Sequence, residues 1–445
     1  MRRTGFLRGY KWWMAAAWIV FACCALHTAR DAWHWDMPFA PRRDFVQLFA
    51  GARCAVAHEN PYDTKLLEAQ YLAAGGLKEH LPPWKWELPL YPPSALLFGL
   101  PFVGMRYDAA AQTWFWFNLC ALFAGLGLVT LLVERGWRPL AVVLAACVVW
   151  YPATVLVLGM GQPAALTLAL LFVAVVVAFR RWPGWICVVA FGLALLLKAQ
   201  LALPILIYLL LVRRYRKSAG AALVLWVVVS LGCVFWMQHF PGTSGWSAAL
   251  RANIAASMAT GGSANPEPSN GTVATFTNLQ AVMALFFSSA RGYNLATYLF
   301  VLPVGLWWLA GIWRAPWSPG RDVLAIAGGA ALALLPVYSF YYNLPLLGLC
   351  VPAVVWLLAH RLRWGIAALL CLTPVAFCNL QLHVQHFVIV HPRSQLPGRL
   401  GTVVVEREYP LAVALSAVLL VAALWWCAPS ETADGQLRER AVDAR

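Results

Sequence analysis

Charged residues are scarce in this sequence. They make up 11% of the 445 residues, whereas hydrophobic residues make up 62%, and long apolar runs recur along the whole chain. A membrane span needs ~20 apolar residues to cross ~30 Å of hydrocarbon. The pattern therefore predicts an all-α polytopic membrane protein, and it excludes a separate soluble domain between the runs. We expect one integral membrane domain over residues 1–445.

Several motifs of nucleotide and hydrolase chemistry are missing. The sequence contains neither G-x-x-x-x-G-K-S/T nor G-x-G-x-x-G, so no phosphate cradle for a nucleotide is visible. It also lacks D-x-D, which argues against a nucleotide sugar held by a metal. H-E-x-x-H and G-x-S-x-G are absent as well. We expect no cofactor and no metal.

The formal net charge of +15 does not point to nucleic acid. Most of the excess Lys and Arg falls on the predicted cytoplasmic side, which is the positive-inside pattern and an attraction to anionic membrane lipid. Nearly all of the eleven cysteines lie in apolar runs. Cys54 is the only clear one in a predicted outer loop, so no disulfide framework is expected.

The apolar runs and basic flanks predict about 12 transmembrane helices with both ends in the cytoplasm. The outer loops then cover about 30–106, 237–293 and 382–409, and a cytoplasmic tail covers about 428–445. Residues 184–212 have basic clusters at both ends, so one simple span would violate the positive-inside rule. We predict two short helices there, forming a hairpin broken near Lys198 with help from Pro204.

The first outer loop concentrates acids, bases and aromatics. From Asp44, the apolar residues Phe45, Leu48 and Phe49 recur at helical spacing, which predicts amphipathic interfacial helices on the membrane surface. Asp44 and Gln47 also form a D-x-x-Q pattern, so Asp44 has two possible roles: a helix N-cap and a catalytic base. The G-G-S-A-N-P-E-P-S-N-G stretch of the second loop is predicted to be a mobile flap.

Lys198 lies within apolar sequence, where an unpaired ammonium is costly. It should snorkel to the interface or meet an anion, and a lipid phosphate is the natural partner. Arg393 and Arg399 either contact the same phosphate or are solvated loop charges. His383, His386 and His391 are read as a polar loop in preference to a zinc site. Asp322 is read as an ordinary N-cap.

Aromatic residues are abundant in the outer loops, where they suit both the membrane interface and the stacking of sugars. Gly159–Gln162 is read as a tight turn, with a binding site as the alternative. The residues expected to contact substrate are Tyr62, Tyr91, Gln162, Gln200, Tyr341 and Tyr342.

Several motifs follow one another along the first half of the chain. They are D-F, A-G-A-R and N-P-Y-D between Asp44 and Asp63, then L-Y-P-P-S-A-L-L-F, L-G-M-G-Q, L-L-K-A-Q and Y-L-L-L-V-R-R-Y. Their order resembles glycosyltransferase family 87, the polyprenyl-phosphate-mannose-dependent mannosyltransferases with the C-type membrane fold. The match is good over Arg42–Lys217 and loose beyond it.

The resemblance implies an inverting, metal-independent transfer of a sugar, most often mannose, outside the cytoplasmic membrane. The donor would be a polyprenyl-phosphate sugar and the acceptor a glycan or glycolipid. The family's base is an Asp in the first outer loop, a place held by Asp44, with Glu87 as runner-up. Tyr341 and Tyr342 stand where the family usually has paired histidines, and G-Q-P-A replaces G-Q-x-N, so sugar and acceptor stay open.

A transporter or lipid flippase is the alternative function. Such proteins also have broken helices and charged residues at the membrane midplane. The absence of a convincing internal repeat and the large amphipathic first loop favour an enzyme.

Overall fold

The computed structural model describes residues 2–35, 42–78, 88–270, 272–314, 318–377 and 407–427. Most of these residues are helical, and their only strand-like feature is an isolated bridge between Phe276 and Phe340. The helices are α1 (Arg2–His34), α2 (Arg43–Val56), α3 (Thr64–Ala73), α4 (Tyr107–Val129), α5 (Arg138–Trp150), α6 (Pro152–Gly159), α7 (Ala164–Phe179), α8 (Gly184–Leu211), α9 (Arg216–His239), α10 (Trp246–Met258), α11 (Gln280–Met283), α12 (Ala290–Arg314), α13 (Pro319–Ala333), α14 (Val351–His360), α15 (Leu362–Leu372) and α16 (Glu408–Trp426). Shorter 3₁₀ segments include Pro93–Phe98, Leu100–Phe102 and Tyr341–Cys350.

Prolines and polar caps set many helix ends. Asp63 caps α3 by accepting from the backbone N–H groups of Lys65 (2.8 Å) and Leu66. Pro152 begins α6, and a residue before proline is disfavoured in the helical region, so Tyr151 is extended. The axes of α5 and α6 consequently differ by 54°.

Seven helices in the described part of the chain are long and apolar enough to cross a membrane, or eight if the bent α5–α6 pair is one span. The predicted number of about 12 is not confirmed. Helices such as α7, with 16 residues, and α13, with 15, are shorter than the ~20 residues of a full span, although the sequence predicted a crossing for each.

Helix α8 is broken at Lys198, whose backbone is not helical (φ −145°, ψ 79°). A straight helix of 28 residues would separate its ends by ~42 Å. Instead, a Cβ added to Gly184 would lie 3.0 Å from Ser218, and Arg216 at the start of α9 bonds to the carbonyl of Leu210. Both ends of α8 therefore lie side by side, so α8 is a hairpin with Lys198 at its apex, as the flanking basic clusters predicted.

The sequence predicted that α2 lies on the membrane surface with its apolar face against lipid, but protein covers most of this helix. Eleven of its fourteen residues are buried, including Asp44 and Gln47. Phe45 stacks on Trp114 of α4 with ring centroids 4.9 Å apart, and Phe49 packs edge-on against Tyr107. Protein side chains, including those of α4, therefore cover the apolar face of α2 that the sequence pattern predicted to contact lipid.

Both capping predictions also need correction. Asp44 is the second residue of α2, and the N-cap is Arg42, which makes no side-chain capping bond. In α13 the cap is Ser318, which accepts from the N–H of Arg321 (3.1 Å), whereas Asp322 is buried within the helix.

The G-G-S-A-N-P-E-P-S-N-G stretch folds back on itself as far as it is described. Asn270 donates to the carbonyl of Asn265 (2.8 Å), and the N–H of Ala264 bonds to the carbonyl of Ser257 (2.9 Å). Its mobility stays a prediction. The predicted third outer loop, apart from its last three residues, and the cytoplasmic tail lie outside the described residues.

Candidate active site

Arg42 fixes the beginning of α2 and so the place of Asp44. Its guanidinium donates to the carbonyls of Ala32 (3.1 Å) and Gly159 (3.0 Å), and it lies 4.1 Å from the ring centroid of Phe115. The backbone of Arg42 is left-handed (φ 67°), which turns the chain into the helix. A buried arginine thus ties α1, α4 and α6 together beside the candidate base.

The Gly159–Gln162 turn docks directly on this helix end. The N–H of Asp44 donates to the carbonyl of Met160 (3.0 Å), and the indole of Trp114 donates to the carbonyl of Gly161 (2.8 Å). Gly161 has φ +66°, and a Cβ there would be 2.6 Å from the Cβ of Arg42. Only glycine fits such a conformation at such a distance. Gly159–Gln162 is therefore the tight turn that the sequence predicted, and the alternative of a binding site stays a prediction.

Gln162 joins the two candidate catalytic groups. Its Nε2 donates to Oδ2 of Asp44 (2.5 Å), and its Oε1 accepts from Nζ of Lys198 (3.0 Å) and from the hydroxyl of Tyr91 (2.9 Å). Asp44 and Lys198 are 1% and 6% exposed. A carboxylate and an ammonium are thus held one amide apart in a low-dielectric setting, where electrostatic interactions are strong.

Aromatic faces complete the surroundings of Lys198. Its Nζ lies 4.8 Å from the ring centroid of Tyr342 and 5.9 Å from that of Tyr91, within the range of cation–π attraction. The Ser94 hydroxyl donates to the carbonyl of Leu196 beside the break in α8 (3.0 Å), which anchors the apex of the hairpin to the first loop.

Tyr62 links the first loop to the second. Its hydroxyl donates to the carbonyl of Tyr91 (2.8 Å), and its own carbonyl accepts from the side chain of Asn253 in α10 (3.0 Å). Burial raises the pKa of Tyr62, so its hydroxyl remains a donor throughout the neutral range. Tyr62 therefore positions Tyr91, which in turn contacts Gln162.

A model of glycosyltransferase family 87 matches residues 90–339, more than half of the chain. The chain belongs to glycosyltransferase family 87. Membership implies a sugar donor and an acceptor, and together with the apolar helices it indicates a multi-pass membrane glycosyltransferase. No curated protein and no solved structure matches the chain. The matched range includes Tyr91, Gln162 and Lys198, whereas Asp44 and Tyr342 lie outside it.

The site of this family 87 chain gathers most of the residues singled out from its sequence. Asp44, Lys198, Tyr62, Tyr91, Gln162 and Tyr342 form one connected group. Gln200 is exposed, and the contacts among the described residues do not join it to that group. Tyr341 stacks instead on Tyr409 of α16, with centroids 6.0 Å apart.

Four further predictions for this family 87 chain lie outside the described residues. They are the runner-up base Glu87, the helper arginines Arg393 and Arg399, and the histidine group His383, His386 and His391.

Sequence reasoning missed the residues that position the site. Arg42, Ser94 and Asn253 act through backbone carbonyls far away in sequence, and such bonds leave no periodic pattern. One signal was present for Arg42: it belongs to an R-R-D run in a chain with few charges.

Proposed function

We propose that this family 87 enzyme transfers a sugar, with mannose as the first candidate, from a polyprenyl-phosphate donor to a glycan or glycolipid hydroxyl on the outer face of the cytoplasmic membrane. Asp44 is the general base, and Lys198 binds the donor phosphate. The transfer inverts the anomeric carbon and needs no metal.

The observation that carries the proposal is the bridge through Gln162. Displacement at an anomeric carbon requires a base on the attacking side and positive charge on the leaving side. Gln162 contacts one group of each kind: its amide nitrogen donates to the carboxylate of Asp44, and its amide oxygen accepts from the ammonium of Lys198. A single carboxylate suits inverting displacement, because retention through a covalent carboxylate intermediate needs a second carboxylate as nucleophile.

In the reaction, the acceptor oxygen forms a bond to the anomeric carbon while the bond from that carbon to the phosphate oxygen breaks. The bonding electrons leave with the polyprenyl phosphate. The acceptor proton passes to Asp44, which is 1% exposed and so works where bulk water does not compete. The products are the glycosylated acceptor and the free lipid phosphate.

Lys198 is suited to the leaving phosphate. An ammonium has three donors, and within the described residues it makes one hydrogen bond, to Gln162. The return half of α8 begins immediately after Lys198, so its N-terminal N–H groups and helix dipole lie at the same point. Broken membrane helices commonly direct such N-termini at anionic groups.

The lipid nature of the donor accounts for the membrane location. A polyprenyl chain stays in the bilayer, so an enzyme that uses it needs a site at the membrane interface. The aromatic residues Tyr91 and Tyr342 beside Lys198 offer flat surfaces for a sugar ring. Because Tyr341 and Tyr342 stand where the resemblance led us to expect histidines, a donor that carries a sugar other than mannose is the second to test.

The test uses the purified full-length protein with radiolabelled polyprenyl-phosphate mannose, then polyprenyl-phosphate glucose, and extracted cell-envelope membranes as acceptor. We expect label in the acceptor fraction and a rate ~100- to 10,000-fold lower for Asp44→Asn. Asp63→Asn is the matched control, because Asp63 only caps α3 and asparagine caps as well. It should retain the wild-type rate.

A folded Asp44→Asn protein that transfers sugar at the wild-type rate would refute the role of Asp44 and move the search to Glu87. Label that crosses sealed vesicles while remaining on polyprenyl phosphate would instead support the flippase alternative.

A further inference from the structure

A partly polar cavity lies at the base of the α8 hairpin, away from Lys198. Its volume is about 450 Å³, within the range of small-molecule sites. Its walls come from the end of α7, the start of α8 and the turn into α9. They comprise Val177, Ala178, Arg181, Trp182, Gly184, Cys187, Arg214, Tyr215 and Ser218.

Arg181 occupies an unfavourable backbone position in this wall. It follows the end of α7 with φ +55°, and the N–H of Trp182 bonds back to the carbonyl of Val177 (3.0 Å). This is the helix ending at which glycine is favoured, because any Cβ is strained in the left-handed region. Helix termination alone therefore does not explain an arginine here.

Arg214 is the second cation of the wall. Its guanidinium lies 4.9 Å from the ring centroid of Tyr215 and 4.0 Å from Oδ2 of Asp322. The carboxylate of Asp322 already accepts hydrogen bonds from the hydroxyls of Tyr208 and Tyr215. Asp322 therefore offsets part of the positive charge of Arg214.

We propose that this cavity binds the phosphate headgroup of an anionic phospholipid. Two arginines flank the cavity, and its remaining wall is largely apolar (Val177, Ala178, Trp182 and Cys187), which suits a phosphate whose glycerol carries acyl chains. Basic pockets between transmembrane helices are typical sites for such headgroups. The lipid would join the two legs of the hairpin at their base.

This site is separate from the proposed donor site. Residues Gly184–Leu197 form the first leg of the hairpin, which spans ~20 Å at 1.5 Å per residue. Lys198 at the apex is therefore about that far from the cavity. The proposal does not depend on Asp44 or Lys198 acting in catalysis.

The test measures lipid binding to the purified full-length protein by native mass spectrometry, with phosphatidylglycerol and phosphatidylcholine of equal chain length. We expect the wild type to prefer phosphatidylglycerol. In the variant Arg181→Gly/Arg214→Gln, that preference should fall by ~25-fold, at ~5-fold for each basic residue facing an anionic lipid. Arg181→Gly also removes backbone strain, so loss of binding would not reflect a damaged α7 terminus.

The matched control is Arg180→Gln/Arg213→Gln, which removes the same charge from the adjacent exposed residues that do not line the cavity. It should keep the preference. Equal losses in both variants, or no preference in the wild type, would overturn the proposal. An excess of inorganic phosphate should leave lipid binding unchanged, and full competition by it would assign the cavity to a free phosphate.

Discussion

Asp44 and Lys198 share a hydrogen-bond partner that the sequence did not reveal. From the sequence, both were charges near lipid with local explanations, a cap for one and snorkelling for the other. In the structure, Asp44 does not cap its helix and Lys198 is buried, and both bond to one amide. Local reasoning could not find this arrangement, because the shared partner, Gln162, lies 118 positions from Asp44 and 36 positions from Lys198 in the sequence.

Replacing Lys198 tests the leaving-group side of the site. Lys198→Met keeps much of the side-chain volume and removes the positive charge, so transfer from the lipid-phosphate donor should slow by ~100- to 1,000-fold. Lys198→Arg should recover part of the rate, because it restores charge with a different shape. The measurement is the single-turnover rate with labelled donor.

Lys217→Met is the control for Lys198→Met, since Lys217 is exposed and lies at the far end of the hairpin. A Lys198→Met enzyme with unchanged donor affinity and turnover would show that Lys198 does not contact the phosphate.

Cys54 tests the burial of α2. Burial raises the pKa of its thiol to about 12, with Glu59 and Asp63 contributing. The thiol of unfolded Cys54 has a lower pKa, so at a given pH a larger fraction of it is the reactive thiolate than in the folded protein. At pH 8 we expect no alkylation of Cys54 by maleimide in the folded protein and rapid alkylation in denaturant, read by peptide mass mapping. Fast labelling of the folded protein would show that Cys54 is accessible and would contradict the burial of α2.

At the scale of elements, the positions of most helices could be predicted from the lengths and ends of the apolar runs. The hairpin in α8 followed mainly from charge, because basic clusters at both ends require both ends on one side, and Pro204 was expected to help the break. The burial of α2 could not be predicted from its own sequence. An amphipathic helix shows which face is apolar, and only the remainder of the fold decides whether protein or lipid covers it.

The turn before α7 provides a stability prediction. Gly161→Ala puts a Cβ 2.6 Å from the Cβ of Arg42 in a left-handed conformation, so it should destabilise the protein by ~2 kcal/mol or more. Thermal unfolding in detergent measures this as a lower midpoint, and activity should fall because Gln162 is displaced.

Gly136→Ala is the comparison for Gly161→Ala, because a Cβ at Gly136 would meet nothing within 4 Å. Its unfolding midpoint should match the wild type. Equal midpoints for both variants would contradict the tight fit of the turn against Arg42.

At the scale of the whole molecule, sidedness can be tested with single introduced cysteines. Lys78→Cys in the first loop should react with a membrane-impermeant maleimide in intact cells. Lys217→Cys at the base of the hairpin should react only after permeabilisation, because the basic residues there mark the cytoplasmic side. Wild-type cells give the background from native cysteines. The reverse pattern would contradict the proposed orientation of the active site.

The hairpin also decides the parity of the chain's membrane crossings. Together with the other spans predicted from the sequence, a single crossing at residues 184–211 would put α10 on the opposite face from the first loop. Asn253 of α10 nevertheless donates to the carbonyl of Tyr62 (3.0 Å). With α8 counted as an excursion that returns to its starting face, α9 carries the chain back to the face of Tyr62. In the topology predicted from the sequence, an even number of transits within α8 would therefore bring these two distant loops to the same face.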